Sequence, residues 1–537
     1  MNALAGTGKL IGLALRRDRY VLALWIIALA AFMLGTTHMS VTGFPTQHEL
    51  DVQTRQWATM PALRLMSLAS GATIGSYSMV RSGITIMVLA AVMSVLCVVR
   101  HTRQNEETGR AELFLAGVIG QAAPVAAAVT VAVAADVVLA GALALSMIVN
   151  GLPVEGSLVA GASMAAVGVA FAGVAALTSQ LSSTARGAGG LAMAALGIAF
   201  VLAGAGNMLG HADATGYVAE AAWPSLLSPI GWAQQMRPFG GDHWWLLALP
   251  VALCATAAAV ACVYAARRDL GRGLLPVRAG RERAGRSLRG PLGLAWRLQR
   301  PAFTGWLAAV VCAGLVFGSI SGTATSAEGQ GRAWYDKLSG GGDLLDAFFM
   351  SFVQMAGFLA AVYVVQVLLR MREEESRGRL EAILSESVTR RRWMTSYLLT
   401  AGLGAAALLL GFAVPMALTA GLVLGGTQAL LGELTAAALT QLPAIVVIMA
   451  VVLALVALAP RWAAPASWLA VTAAIVLSPV FGLSLGLPQW ALDISPFTHQ
   501  KAPAASLALV ALAVTLAVAV AAGAAGYAAF RRRDLTA

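Results

Sequence analysis

Two short charged segments, each directly following a long apolar run, copy one another. The first is Arg103-Gln-Asn-Glu106-Glu107-Thr-Gly109-Arg110-Ala-Glu112-Leu-Phe-Leu115, and the second is Arg372-Glu-Glu-Glu375-Ser-Arg-Gly378-Arg379-Leu-Glu381-Ala-Ile-Leu384. Arg, Glu, Gly, Arg, Glu and Leu return at one constant offset of 269 residues. A repeat of this length governs the fold, because each copy must build the same unit.

The apolar runs decide the solvent. Of 537 residues 59% are hydrophobic and 11% charged, against about 25% charged in a soluble domain. A membrane-spanning helix needs ~20 mostly apolar residues. Such runs lie at 21–39, 79–99, 122–149, 157–178, 187–208 and 244–265, then at 302–321, 346–369, 393–424, 431–459, 463–486 and 503–529. The expected fold is therefore an all-α polytopic membrane protein of twelve transmembrane helices in two sets of six. The expected domains are a first half over 1–266, a basic linker over 267–296 and a second half over 297–537. Six spans per half give both halves one orientation, a parallel repeat with its two-fold along the membrane normal.

Charge sets the orientation. With the N-terminus inside, only Arg55, Arg64, Arg81, Arg237, Arg332, Lys337 and Lys501 of the 36 Lys and Arg fall outside, while the acids divide almost evenly. This is the positive-inside pattern. It accounts for the formal charge of +11 and makes nucleic acid an unneeded partner. Lysine is scarce, arginine and alanine abundant, a bias of GC-rich bacterial genomes, so a bacterial cytoplasmic membrane with both termini inside is expected. No small-residue cleavage site follows the run at 21–39, which is read as a retained span.

Further matches support the repeat. Arg16-x-x-Arg19 with Trp25 matches Arg297-x-x-Arg300 with Trp306, Trp223 before Ser228-Pro229 matches Trp490 before Ser495-Pro496, and Tyr264 before Asp269-Leu270 matches Tyr527 before Asp534-Leu535. Leu10–Tyr20 and its twin Leu294–Arg300 suit interfacial helices under the membrane. The two Trp-x4-Ser-Pro matches suggest short helices at the outer ends, with Trp244 and Trp245 as interface anchors.

The charged segments carry more than the positive-inside rule asks. That rule needs bases, not Glu106, Glu107 and Glu112, nor Glu373, Glu374, Glu375 and Glu381. Glu106–Arg110 and Glu375–Arg379 are expected as i,i+4 pairs on a helix, each contributing ~0.2–0.5 kcal/mol. A twice-repeated polar code points to a docking helix for a soluble partner rather than a solvated loop.

His101-Thr-Arg103-x-x-Glu106-Glu107-x-Gly109-Arg110-x-Glu112-Leu resembles the first cytoplasmic loop of ABC-2-type exporter permeases. More narrowly it resembles the fused permeases of polyketide-antibiotic exporters of the tetronasin type. Tyr363-x-x-Gln366-x-x-x-Arg370-x-Arg372-x-Glu374-Glu375-x-x-Gly378-Arg379-x-Glu381 is similar to their second-half pattern, with Asp336-Lys337-Leu338, Ser228-Pro229-x-Gly231-Trp232 and Arg237-Pro238-Phe239 in support. The likeness spans the chain. Gln104 and Asn105 depart from the usual acids, Ser376 interrupts them, and Ala382 stands for the usual Leu. The resemblance implies coupling helices seated on two copies of a separate ATP-binding subunit. It implies contacts through Arg103, Glu106, Glu107, Gly109, Arg110 and Glu112 at one site and Arg372, Glu375, Gly378, Arg379 and Glu381 at the other. Gly109 and Gly378 would allow a close approach or a helix break.

The chain itself offers no nucleotide site. Gly6-Thr7-Gly8-Lys9-Leu10 lacks the first glycine and the hydroxyl of a P-loop, so ATP and Mg are expected in the partner alone and no cofactor in this chain. Cys97, Cys254, Cys262 and Cys312 lie in apolar runs, the six histidines lack ligand spacing, and no nucleophile–base pair is visible. The chain is thus expected not to be an enzyme, and the resemblance implies the permease of an exporter with hydrophobic or amphiphilic polyketide-like drugs as cargo. Spans 21–39, 79–99 and 187–208 with their twins would line the path, with Met93, Phe348, Phe349 and Tyr363 as candidate contacts. The alternative is a proton-coupled twelve-helix transporter. Asp136, the one acid deep in a span, is then a relay residue instead of a structural hydrogen-bonding one.

Overall fold

The computed structural model describes residues 3–44, 46–115, 117, 119–275, 285, 290–322, 343–385, 388–482, 487–499, 517, 520–521 and 523–530. Most of the linker after residue 275, Asp336-Lys337-Leu338, Asp534 and the first part of the twelfth expected span lie outside them. The chain falls into two compact units, Met1–Ala279 and Gly280–Ala537. Both are built from α-helices, with one minimal antiparallel hairpin pairing His211–Ala212 with Ala219–Glu220. Ten helices among the described residues are long and apolar enough to cross a membrane, counting Thr427–Leu458 as one across its short break at Thr440–Gln441.

In the first unit the six expected spans correspond to α1 (Thr7–Gly43), α4 (Ile74–His101), α7 (Ala123–Val149), α8 (Val154–Leu181), α9 (Ala185–Leu209) and α11 (Ala248–Arg267). The short elements α2 (Gln47–Thr59), α3 (Pro61–Arg64) and α10 (Pro229–Gln235) sit in the loops opposite the arginine-rich end. α1 corrects an expectation. No separate interfacial helix forms over residues 10–20; no proline interrupts Thr7–Gly43, so one helix of 37 residues runs through. At 1.5 Å per residue it is about 55 Å long, well beyond the ~30 Å of hydrocarbon. Its basic first turns therefore project past the apolar zone. The twin behaves alike: α12 (Pro291–Ser319) continues through Pro301.

The second unit follows with α13 (Leu344–Ser376), α14 (Arg379–Leu384), α15 (Arg390–Leu424), α16 (Thr427–Leu439), α17 (Leu442–Leu458) and α18 (Ala463–Val476). Two expected spans are broken. The run at 431–459 divides at Thr440–Gln441, just before Pro443, and the run at 463–486 stops at Val476, ahead of Pro479. Proline brings no amide hydrogen and disfavours helix at the residue before it. Fourteen residues of α18 reach only about 21 Å. Of the twelfth expected span, the described part is helical at residues 523–530.

Packing repeats between the units. In each, the first span lies on the third, and the second on the third and fourth. α8 is the most enclosed helix of its unit, bounded by α4, α7, α9 and α11. Between lipid-buried helices there is little hydrophobic drive, so close backbone approach through small residues matters most. At Gly161 of α8 an added Cβ would stand 2.2 Å from the Ala140 carbonyl of α7. At Gly314 of α12 it would stand 2.3 Å from the Phe412 carbonyl of α15.

Gly161→Leu should wedge α7 from α8 and cost about 1–3 kcal/mol, the range for overpacking. Its thermal unfolding in detergent should fall by several degrees, whereas Gly141→Ala, with open space around its Cβ position, should leave the transition in place. Equal behaviour of the two variants would refute the close approach.

Candidate coupling segments

The first charged segment leaves α4 at Thr102, makes one turn as α5 (Arg103–Glu107), reverses at Gly109 and continues as α6 (Arg110–Leu115). In the second, α13 runs on unbroken to Ser376, reverses at Gly378 and continues as α14. Gly109 has φ +71° and Gly378 φ +69°, both left-handed, and nothing lies within 4 Å of a Cβ at either. Their shared requirement is the turn, which only glycine makes without strain, and not a close approach. The turn also corrects the expected i,i+4 pairs. Glu106 and Arg110, like Glu375 and Arg379, stand on opposite sides of a helix break; Glu106 and Glu375 pair instead with Arg103 and Arg372, and Arg379 with Glu374.

The inward half of each segment is tied to its own bundle. Arg103 is fully buried. Its Nε donates to the Ser179 carbonyl and its Nη2 to the Arg272 carbonyl, both at 3.0 Å, while Nη1 pairs with Glu106. Glu106 also takes both arms of Arg268 and the Gly271 amide, and Arg268 Nε donates to Gln180 at 2.7 Å. A cation at the C-terminal end of α8 is favoured by the carbonyls that end leaves unpaired. In the second unit Arg372 Nε donates to the Pro460 carbonyl, just past α17, and pairs with Glu375 at 3.3 Å. The repeated Arg and Glu therefore meet the end of the fourth span in both units. Glu374, buried beside them, takes Arg379 at 3.3 Å and Arg370 at 4.0 Å. Glu107 accepts the Ala185 amide at 2.8 Å, capping α9.

The outward half carries exposed charge, although Leu380 of the second segment is buried in the core of its unit. Arg110, Glu112, Arg379 and Glu381 are exposed, and Leu113 is 77% exposed. Ala382 stands at the matching place in the second segment. Of the eleven expected contact residues, Arg103, Glu106, Arg372 and Glu375 thus hold the segment, Glu107 caps a neighbouring helix, Gly109 and Gly378 turn the chain, Arg379 is half exposed and pairs with Glu374, and Arg110, Glu112 and Glu381 face solvent.

Comparison with known proteins agrees with this architecture. A family profile described as the C-terminal domain of the multidrug efflux system permease Rv1217c matches residues 288–531. The multidrug efflux system permease protein Rv1217c of Mycobacterium tuberculosis (strain ATCC 25618 / H37Rv) is 34% identical over 540 residues, covering 99% of this chain and 96% of that protein. The chain belongs to this family of multidrug efflux permeases. It is a multi-pass membrane transport protein and not an enzyme.

Three features of the permease were not visible beforehand. Asp18 of α1 is buried, with Arg100 at 3.0 Å and His101 at 2.8 Å, and Arg17 donates to Asn105 at 2.9 Å; α1 is thereby pinned to the start of the segment. Cys97 approaches the same group, so Asp18, Cys97 and His101 converge; the Cys-x3-His spacing on α4 is the sequence signal for this cluster. Both oxygens of Asp18 are already engaged, and the Arg100 guanidinium opposes a cation, so the donor set suits a closed ion-pair network. The third feature is Arg268, which joins the segment from 162 residues away.

The candidate cargo residues are core side chains. Met93 lies in the core of the first unit, and Phe348, Phe349 and Tyr363 in that of the second. Ser94, the repeat twin of Tyr363, donates to Asp136 at 2.7 Å. Asp136 thus makes the interhelical hydrogen bond of its structural reading. Tyr363 instead lays its hydroxyl against Gly404. At the opposite end, Ser228 Oγ donates to the Ala199 carbonyl and Ser495 Oγ to the Ala474 carbonyl, each at 2.6 Å. The short helices Trp223–Leu227, Pro229–Gln235, Gln489–Leu492 and Pro496–His499 hang on these bonds. Trp223 and Trp490 beside them are each 70% exposed.

Arg103→Ala should destabilise the permease by about 2–3 kcal/mol, because it takes the guanidinium donor from the Ser179 carbonyl and removes one of the two cations on a mostly buried carboxylate. Arg110→Ala should change stability by less than about 0.5 kcal/mol. Thermal unfolding of the purified protein checks both; comparable losses would contradict the division into inward and outward halves.

Proposed function

We propose that this drug efflux permease is the membrane-spanning subunit of an ATP-binding-cassette exporter, driven by two copies of a separate ATPase at the two charged segments. The observation that carries the reading is the division just described. Each segment is clamped to its bundle by an Arg–Glu pair, buried at Arg103 and partly exposed at Arg372, and turns at a left-handed glycine. It then presents a short helix with exposed charge, Arg110 and Glu112 in one copy and Arg379 and Glu381 in the other. Charges on such a surface set register and orientation more than affinity. The clamp makes the segment a lever, since motion of the outer helix must load the fourth span.

In this reading the arginine-rich ends face the cytoplasm of a bacterium, as the positive-inside rule directs. ATP and Mg bind in the partner. The resemblance to ABC-2-type permeases of polyketide-antibiotic exporters suggests an amphiphilic or hydrophobic cargo, and likeness to a multidrug efflux permease of M. tuberculosis supports drugs as its class. Met93, Phe348, Phe349 and Tyr363 would reach such a cargo only if their helices part. The proton-coupled alternative rests on Asp136, whose Oδ1 has no hydrogen-bond partner among the described residues.

The Glu112→Lys, Glu381→Lys double variant should insert and fold normally yet lose at least about tenfold in drug efflux from cells, with loss of ATPase co-purification. Efflux that persists unchanged would sink the docking role. Collapsing the proton gradient at constant ATP should leave efflux by the native protein intact, and Asp136→Asn should stay within about twofold of it; loss in both would favour the proton-coupled reading.

A further inference from the structure

The first unit holds a cavity of about 680 Å³ that neither the clamp nor the outward helix explains. It opens at the arginine-rich end, between the first turns of α1, the start of α7 and the last turn of α11. Its walls are largely apolar, with Leu10, Leu13, Val125 and Ala266 among them, and its mouth carries Arg17 and Arg268. We infer that this cavity binds an anionic phospholipid of the adjacent leaflet, its phosphate at Arg17 and its acyl chains along the walls.

The charges select the occupant. Two acids face the cavity, Glu106 and Asp269. Glu106 is committed to Arg103 and Arg268, and Asp269 pairs with Arg272 at 3.5 Å. Arg17 has a neutral partner, the Asn105 side-chain oxygen at 2.9 Å. The mouth therefore carries uncompensated positive charge that welcomes a phosphate and repels cationic drugs. The apolar walls in turn favour acyl chains over a free anion, and the arginine-rich end is the one that the positive-inside rule puts against anionic headgroups. Asn105, Glu106 and Ala111 of the charged segment also line the cavity. A bound lipid would thus brace that segment against α1 and α11. The inference does not depend on the partner proposed above.

The test is native mass spectrometry of the full chain in detergent, titrated with phosphatidylglycerol or with phosphatidylcholine of the same acyl chains. The first phosphatidylglycerol should bind more tightly than the first phosphatidylcholine. Arg17→Ala should weaken it about fivefold, the effect of one basic residue beside an anionic headgroup. Ala266→Trp, an exposed position on the wall, should weaken it likewise with every charge retained. Arg19→Ala, exposed and not a lining residue, should bind as the native protein does. Equal affinity for the two lipids, no change in either cavity variant, displacement by inorganic phosphate alone, or displacement by a neutral drug-like amphiphile would each overturn the inference.

Discussion

The buried guanidinium of Arg103 is the contact on which the first unit's arginine-rich end depends. It has no access to water, so every donor must be satisfied within the protein. The carbonyls of Ser179 and Arg272 and the carboxylate of Glu106 take one hydrogen bond from each of its three nitrogens. Each partner belongs to a different stretch of chain: the end of the fourth span, the loop after the sixth, and the segment itself. A charge placed there cannot be moved without breaking a contact to all three, and Arg268, which also reaches Glu106 and the Arg272 carbonyl, shares the work of fixing the helix end. The desolvation cost of such a site is large and the net contribution to stability is small. Its value lies in specifying one arrangement.

The second unit reaches the same arrangement with looser means. Arg372 is partly exposed and touches Pro460 beyond its shorter fourth span, and buried Glu374 gathers Arg370 and Arg379 from either side. The same substitution of means recurs deeper in the bundle. The junction of second and third spans is a Ser94–Asp136 hydrogen bond in one unit and a tyrosine packed on glycine in the other. A polar pair and a large ring fill comparable space, but the Ser94 hydroxyl is satisfied by Asp136 whereas the buried Tyr363 hydroxyl has no hydrogen-bond partner among the described residues. The repeat has therefore kept backbone geometry while letting the chemistry of its contacts drift.

Hydropathy and repetition, both properties of contiguous residues, made the helical architecture and the two charged segments legible from the chain alone. Where the breaks fell depended on Pro443 and Pro479, which a twenty-residue apolar window passes over. The inner contacts of the segments were not legible, because the partners of Arg103 and Glu106 stand 76 to 169 residues away. The expected pairing of Glu106 with Arg110 was a local rule applied across Gly109, and a single left-handed residue was enough to cancel it. Asp18 was invisible for a related reason: an isolated acid in a basic stretch is informative only once the Arg100–His101 end of α4 is seen beside it.

The split within each segment also bears on how a force could pass through it. Leu113 and Ala382 hold the same place on the outward helices, yet one is a large exposed side chain and the other a methyl group. Burying a leucine on a partner contributes about 1.5–3 kcal/mol, whereas alanine offers little. The clamps differ in the same direction, tight and dry at Arg103, looser at Arg372. A partner that gripped both segments would therefore hold the first unit more firmly and move it more stiffly. Under the proposed function the two halves of one repeat would answer one ATP cycle unequally, a consequence of side-chain size and burial at matched positions with no difference in backbone required.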